Sequence, residues 1–159
     1  MRRLCIMRKD LNMSVGKLSA MVGHAFEIYW LHKMKEHVFP ITESGDFLDY
    51  EHMHKKYAEE VAAYDVQFFL DRDEYEEYVN GTITKTVCAA KNKNHLLKAK
   101  DVAENLGLIE GRDFGFIRDL CLTELEPEDE DGRTTVGIWF KPLSDETAHS
   151  ISKKYQLYK

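Results

Sequence analysis

Apolar positions along this chain switch between two periods, and the switching predicts its architecture. Leu4 to Met7 is a short, unbroken apolar run, the pattern of a strand covered on both faces. Beyond it, Leu18, Met21, Val22, Ala25, Ile28 and Tyr29 keep a helical period, with Ser14 placed to cap the helix and an end near Lys35. Thr82 to Ala90, rich in Thr, Ile and Val, reads as a strand. Asn94 is positioned to cap a second helix carrying Leu96, Leu97, Val102 and Leu106, closed by Gly107. Phe114 to Leu120 and Thr134 to Phe140 predict two more strands, and Ser144 opens a last helix with Glu146 and Thr147 in its first turn. Strands alternating with helices predict an α/β fold: three layers, α/β/α, with a mixed four-stranded sheet and helices on both faces.

The middle of the chain is less regular. Pro40, the Glu43-Ser44-Gly45-Asp46 cluster and Asn80-Gly81 read as breaks. Between them, Leu48, Met53, Tyr57 and Val61 predict a helix over Phe47 to Ala63, and Asp73 to Val79 a shorter one. The apolar run Val66 to Leu70 fits either a strand or a buried helix, since periodicity does not separate the two.

At 159 residues and 43% hydrophobic, the chain has the size and composition of one globular domain. No apolar run approaches the ~20 residues that span a bilayer, and Arg2 and Arg3 are followed by no leader-like apolar core. Cys5, Cys88 and Cys121 each sit in an apolar, strand-like context, which fits buried free thiols in a reducing cytoplasm. His52 and His54 form no zinc signature and read as solvated.

The net charge of −6 argues against general nucleic-acid binding, yet the charges are unevenly spread. Lys85, Lys91, Lys93, Lys98 and Lys100 follow one another with no acid between them, while Glu124, Glu126, Glu128, Asp129, Glu130 and Asp131 form an acidic run. Two readings stand: a solvated charged face with an acidic loop, or a bipolar molecule whose basic surface follows a phosphate backbone.

Candidate chemistry starts at Gly16-Lys17. A lysine in the first turn of a helix, near unpaired N–H groups, makes a compact positive site for a phosphate or a developing oxyanion. His24 lies about two turns further along the same face. By themselves, these two residues read better as a surface lysine on an ordinary helix and a satisfied core histidine. In its wider setting the run from Arg8 to Ala25 resembles the signature of the type II (archaeal/eukaryotic-type) peptidyl-tRNA hydrolase family. The resemblance rests on Arg8, Asp10, Leu11, Met13, Gly16, Lys17, Ala20, His24 and Ala25, in the family's order and spacing. It recurs at Asp119, Thr123, Pro127, Thr134 and Gly137-Ile138, and in the closing Lys153 to Tyr158.

The resemblance implies a single domain over residues 1–159, with an enlarged helical segment at about 36–81. It implies hydrolysis of the ester between peptide and tRNA, with Lys17, His24, Asp119 and Thr123 as catalytic residues. Arg8, Asp10, Gly16 and Thr134 would bind substrate, and no metal or organic cofactor would be needed. The implied partners are peptidyl-tRNA and a second copy of the chain, in the cytoplasm and away from membranes. Both motifs end predicted neighbouring strands, where open α/β sheets place their ligands, so a shared cleft is expected. Met21 stands where many members carry glutamine, and Cys121 where they carry glycine. The acidic loop between Thr123 and Thr134 is also longer, and its charge would repel phosphate. Met21 and the acidic loop favour a second reading, a non-catalytic module on the same fold that holds RNA or protein, while the retained Lys17, His24, Asp119 and Thr123 favour the enzyme.

Overall fold

The computed structural model describes residues 1–42, 61–82 and 84–159. In chain order the elements are β1 (Arg2–Arg8), α1 (Val15–Glu36), β2 (Val38–Thr42), β3 (Val61–Val66) and α2 (Arg72–Tyr75), which continues as a π-helical turn, Glu76–Asn80. Then come β4 (Thr84–Ala90), α3 (Lys93–Asn105), β5 (Phe114–Asp119), β6 (Thr134–Phe140), α4 (Asp145–Ser152) and β7 (Gln156–Leu157). They gather into two compact units, Met1–Tyr29 with Asp71–Lys159, and Trp30–Leu70.

The first unit is built on a mixed sheet in the order β5-β6-β1-β4-β7. β1 runs parallel to β4 and antiparallel to β6, and is buried from Arg3 to Arg8. That explains its unbroken apolar pattern, since neither face meets water. Leu4 and Ile6 join Leu96, Ala99 and Ala103 of α3 and Ala148 and Ile151 of α4 in one core cluster. Successive strand residues point to opposite faces, and Arg3 turns the other way, toward α1. There its guanidinium donates to the Phe26 carbonyl at 2.8 Å and the Tyr78 hydroxyl at 3.3 Å, with the Phe26 and Tyr29 rings alongside. The sheet is therefore covered by helices on both faces.

Several expectations shift. The sheet has five strands, not four: β7 pairs antiparallel with Cys88 and Ala89 but is only two residues long, too short for any periodic signal. Asn92, not Asn94, caps α3, because its side chain accepts from the His95 N–H at 2.9 Å, the three-residue reach of an N-cap. Gly107 closes that helix as expected, at φ +81 with its N–H on the Glu104 carbonyl. Ser144 caps α4 through the Thr147 N–H. β5 ends at Asp119, so Cys121 lies in a turn and not in a strand. All three cysteines are free, and burial pushes the Cys5 thiol up to about 12.

In the second unit β2 pairs antiparallel with β3, aligning Val38 with Val66 and Pro40 with Tyr64. Most of the helix expected over Phe47 to Ala63 lies outside the described residues, as do His52 and His54. Its last residues, Val61 to Ala63, are in β3, so the 36–81 segment contains a strand pair as well as helix. Val66 ends β3, and no regular element follows before α2. The helix expected from Asp73 starts at Arg72, capped by Asp71, and becomes the π-helical turn. Among the described residues, no helix is long and apolar enough to cross a membrane.

Gly137 of β6 lies opposite Met7 of β1. A Cβ there would come within 2.8 Å of the Ile6 carbonyl oxygen and 2.6 Å of the Met7 sulfur. The backbone oxygen cannot move aside without breaking the ladder. Gly137→Ala should therefore cost about 1–3 kcal/mol of stability, read as a lower denaturant midpoint at an unchanged slope.

Candidate active site

β1 and β5 each run antiparallel to β6, which lies between them, so both end at the same edge of the sheet. They are not direct neighbours, but their C-terminal ends are close enough for the following loops to meet. After β1 the chain bends at Asn12, whose φ of 48° is one that asparagine tolerates. It then enters α1 at Ser14, whose hydroxyl accepts from the Lys17 N–H at 3.2 Å. On the other side, a register shift between Ile117 and Arg118 bulges the end of β5. Bulges re-aim side chains, and here Arg118 is exposed while Asp119 is buried.

The two loops close on each other. Lys17 Nζ lies 2.5 Å from Asp119 Oδ2 and 3.3 Å from Thr123 Oγ1. Asp119 Oδ1 accepts from the Cys121 N–H at 2.9 Å, and Cys121 holds a left-handed φ of 55° that turns the chain back toward Lys17. This is where the family carries glycine, the residue that adopts such a φ without strain. Glu124 completes the junction, accepting from the Ser14 hydroxyl at 2.7 Å and the Ser14 N–H at 2.9 Å. Those bonds, with Lys17 nearby, hold its carboxyl below the usual range. The Lys17 and Asp119 side chains are only 14% and 7% exposed. Such a withdrawn pair gains little net stability from its own attraction, because desolvation offsets it.

A groove of about 630 Å³ opens over the pair, lined by Lys17, Met21 and His24 of α1 and by Asp119, Leu122 and Thr123 on the facing side. The structure thus brings all four expected catalytic residues to one place, with His24 exposed. Arg118 and Arg133 also line the groove. The sequence reading missed them, although the position of Arg118 directly before Asp119 was a usable hint.

The four expected substrate-binding residues fall elsewhere. Arg8, 3% exposed, forms a two-pronged pair with Glu128 at 2.5 and 2.7 Å, contacts Asp10 at 2.7 Å and donates to the Thr135 carbonyl at 3.0 Å. Thr134 is fully buried, donating to the Glu126 carbonyl at 2.7 Å and accepting from the Glu128 N–H at 2.9 Å. Arg8, Asp10 and Thr134 therefore hold the acidic loop in place. Gly16 is exposed, and a Cβ added there would meet nothing within 4 Å.

The same contacts change the reading of the acidic loop. Asp129 pairs with Lys93 at 2.7 Å and Arg118 at 2.9 Å, and Asp131 with Arg118 at 2.8 Å. With Glu128 on Arg8, much of the loop's charge is cancelled at contact distance. The field expected to repel phosphate is correspondingly reduced. Among the described residues, no group of three or more His, Cys, Asp or Glu is placed to hold a metal ion.

A cation, a carboxylate and a hydroxyl thus meet at the C-terminal edge of an α/β sheet, an arrangement that can stabilise charge developing at a carbonyl or phosphoryl centre. The family model described as Peptidyl-tRNA hydrolase PTH2 matches residues 1–158, and the chain belongs to that family. No match is found among curated proteins.

The Arg8 hydrogen bond holds the Glu128 carboxyl below its ordinary value of 4.5, and Lys93 and Arg118 likewise lower Asp129. Groups that titrate lower when folded contribute their stability above the unfolded value and lose it as pH falls through the folded one. The thermal midpoint should hold steady above about pH 5 and drop below that. Glu128→Gln should lower the midpoint at neutral pH and flatten the acid decline.

Proposed function

We propose that this chain hydrolyses the ester joining a peptide's C-terminus to the terminal ribose of tRNA, with Lys17, Asp119, Thr123 and His24 as its catalytic residues. The observation that carries this reading is the contact of two distant motifs, Lys17 on Asp119 at 2.5 Å, beneath an open groove. Family membership supports the substrate. Arg8, Asp10 and Thr134 serve substrate binding indirectly, by fixing the loop that follows Thr123, and Gly16 leaves the first turn of α1 uncrowded. The same reading gives the chain peptidyl-tRNA and a second copy of itself as partners, in the cytoplasm where peptidyl-tRNA forms.

The chemistry uses these groups in order. Asp119 orients a water and takes its proton as the water oxygen bonds to the ester carbonyl carbon. Negative charge develops on the former carbonyl oxygen, where the Lys17 ammonium and the N-terminal end of α1 stabilise it. Thr123 shares hydrogen bonds with the reacting water, and His24 supplies a second base along the groove. The intermediate collapses by breaking the bond to the ribose oxygen, which recovers the proton. Free peptide acid and tRNA leave, and no metal or organic cofactor enters the balance.

Met21 lines the groove where the family carries an amide, which favours a non-catalytic module as the second reading. Release of tRNA from purified peptidyl-tRNA separates the two. Lys17→Ala and Asp119→Ala should each lower kcat/KM by about 10²–10³, with far-ultraviolet circular dichroism unchanged. Full activity in both variants would sink the residue assignments, and no activity in the parent protein would sink the hydrolase reading.

A further inference from the structure

The C-terminal edge of the sheet carries a second charged region, away from the groove. Lys9 follows β1 and Lys91 follows the parallel strand β4, with the Lys9 N–H donating to the Ala90 carbonyl at 2.8 Å. α3 adds His95 and Lys98, and the chain's last residues add Lys154 and Lys159. Two hollows, of about 230 and 400 Å³, share Lys91, His95 and Lys154, and neither is lined by an acidic side chain. Among the described residues, none of these five lysines forms an ion pair with a carboxylate, although the chain carries a net charge of −6.

The contrast along the edge is informative. Arg8, Lys93 and Arg118 are matched by acidic-loop carboxylates, as described above, whereas this cluster is left unmatched. Its mutual repulsion is visible at His95, whose basicity is lowered by partial burial and then by Lys91 and Lys98. The His95 ring stacks on Tyr155 at 4.4 Å, and its Nδ1 accepts from the Lys91 N–H at 3.1 Å. In the neutral ring the hydrogen is then on Nε2, a donor. An anion would relieve the repulsion and use that donor.

We propose that this cluster binds backbone phosphates of the substrate tRNA, beyond the nucleotides that enter the groove. The inference rests on the tRNA substrate proposed above. β4 is three strand steps from β5, so the strand ends that lead to Lys91 and Asp119 are about 14 Å apart at ~4.8 Å per step. That is too far to touch the ester and close enough to hold the same nucleic acid. The position at the substrate edge, and the concave shape, favour RNA over a lipid surface.

The test is the triple variant K91Q/K98Q/K154Q, with K35Q as a control, on peptidyl-tRNA and on a short peptidyl-CCA oligonucleotide. KM for peptidyl-tRNA should rise roughly tenfold while kcat stays within about twofold, and the slope of log KM against log salt should flatten by about 2–3. The short substrate should be unaffected. An unchanged salt slope, or equal losses on both substrates, would overturn the proposal. Filter binding of deacylated tRNA decides it independently of catalysis: the variant should bind more weakly, and unchanged affinity at low salt would overturn it. If the parent protein releases no tRNA, the hydrolase reading fails while this binding test still stands. Retained tRNA affinity with lost binding to phosphatidylserine vesicles would also overturn it, in favour of a lipid surface.

Discussion

β1 is buried from Arg3 to Arg8, so its backbone groups must find partners on both sides and its side chains on both faces. β4 and β6 supply the first, the α3–α4 core and α1 the second. Because β6 is antiparallel to both β1 and β5, those two strands end together. Among the described residues, the candidate sites hang from that edge: the entry to α1 with Lys17, the turn after Asp119, the Arg8 clamp and the lysine cluster. The geometry of the groove is therefore a consequence of strand order before it is a property of any one side chain.

Buried charge at that edge is spent in two ways. Arg8 is nearly inaccessible, yet it meets two carboxylates and a carbonyl, so its donors are satisfied and it acts as a fastener for the loop. Hydrogen bonds to Glu128 and Asp10 raise its affinity for the proton, against the opposing effect of burial. Lys17 and Asp119 differ in opening onto a cavity. A pair in that position offers little net stability, and the role proposed for it is to meet charge that appears during a reaction. The left-handed turn at Cys121 costs about 1 kcal/mol relative to glycine. The Cys121 N–H bond to Asp119 offsets part of that cost.

Much of the fold was legible because its elements are long and periodic. α1, β4 and β6 follow directly from spacing, and Ser14 and Ser144 from cap chemistry. What was not legible has particular causes. β7 is two residues held by tertiary contact. Asn92 and Asn94 are both plausible caps, and only the position of the His95 N–H decides between them. The β2–β3 pair in the 36–81 segment competes with a helical spacing in Val61 that the strand overrides. At the site, motif resemblance located Lys17, His24, Asp119 and Thr123. It could not show that Arg8 and Thr134 point into the loop, because that depends on which carboxylates fold back onto them.

Charge was the least legible property, and the reason is distance. A run of six carboxylates looks like a repulsive field when counted along the chain, but Coulomb interactions weaken with separation and are screened beyond about 8–10 Å. Three of those carboxylates meet Arg8, Lys93 and Arg118 at 2.5–2.9 Å. Half of the loop's carboxylates are thus paired at contact distance, which weakens the loop's field without removing it, while the lysine cluster has no carboxylate partner among the described residues. The net charge of −6 describes neither. An acidic protein can in this way present a basic edge, provided its acids are bonded where the substrate passes and its lysines are not.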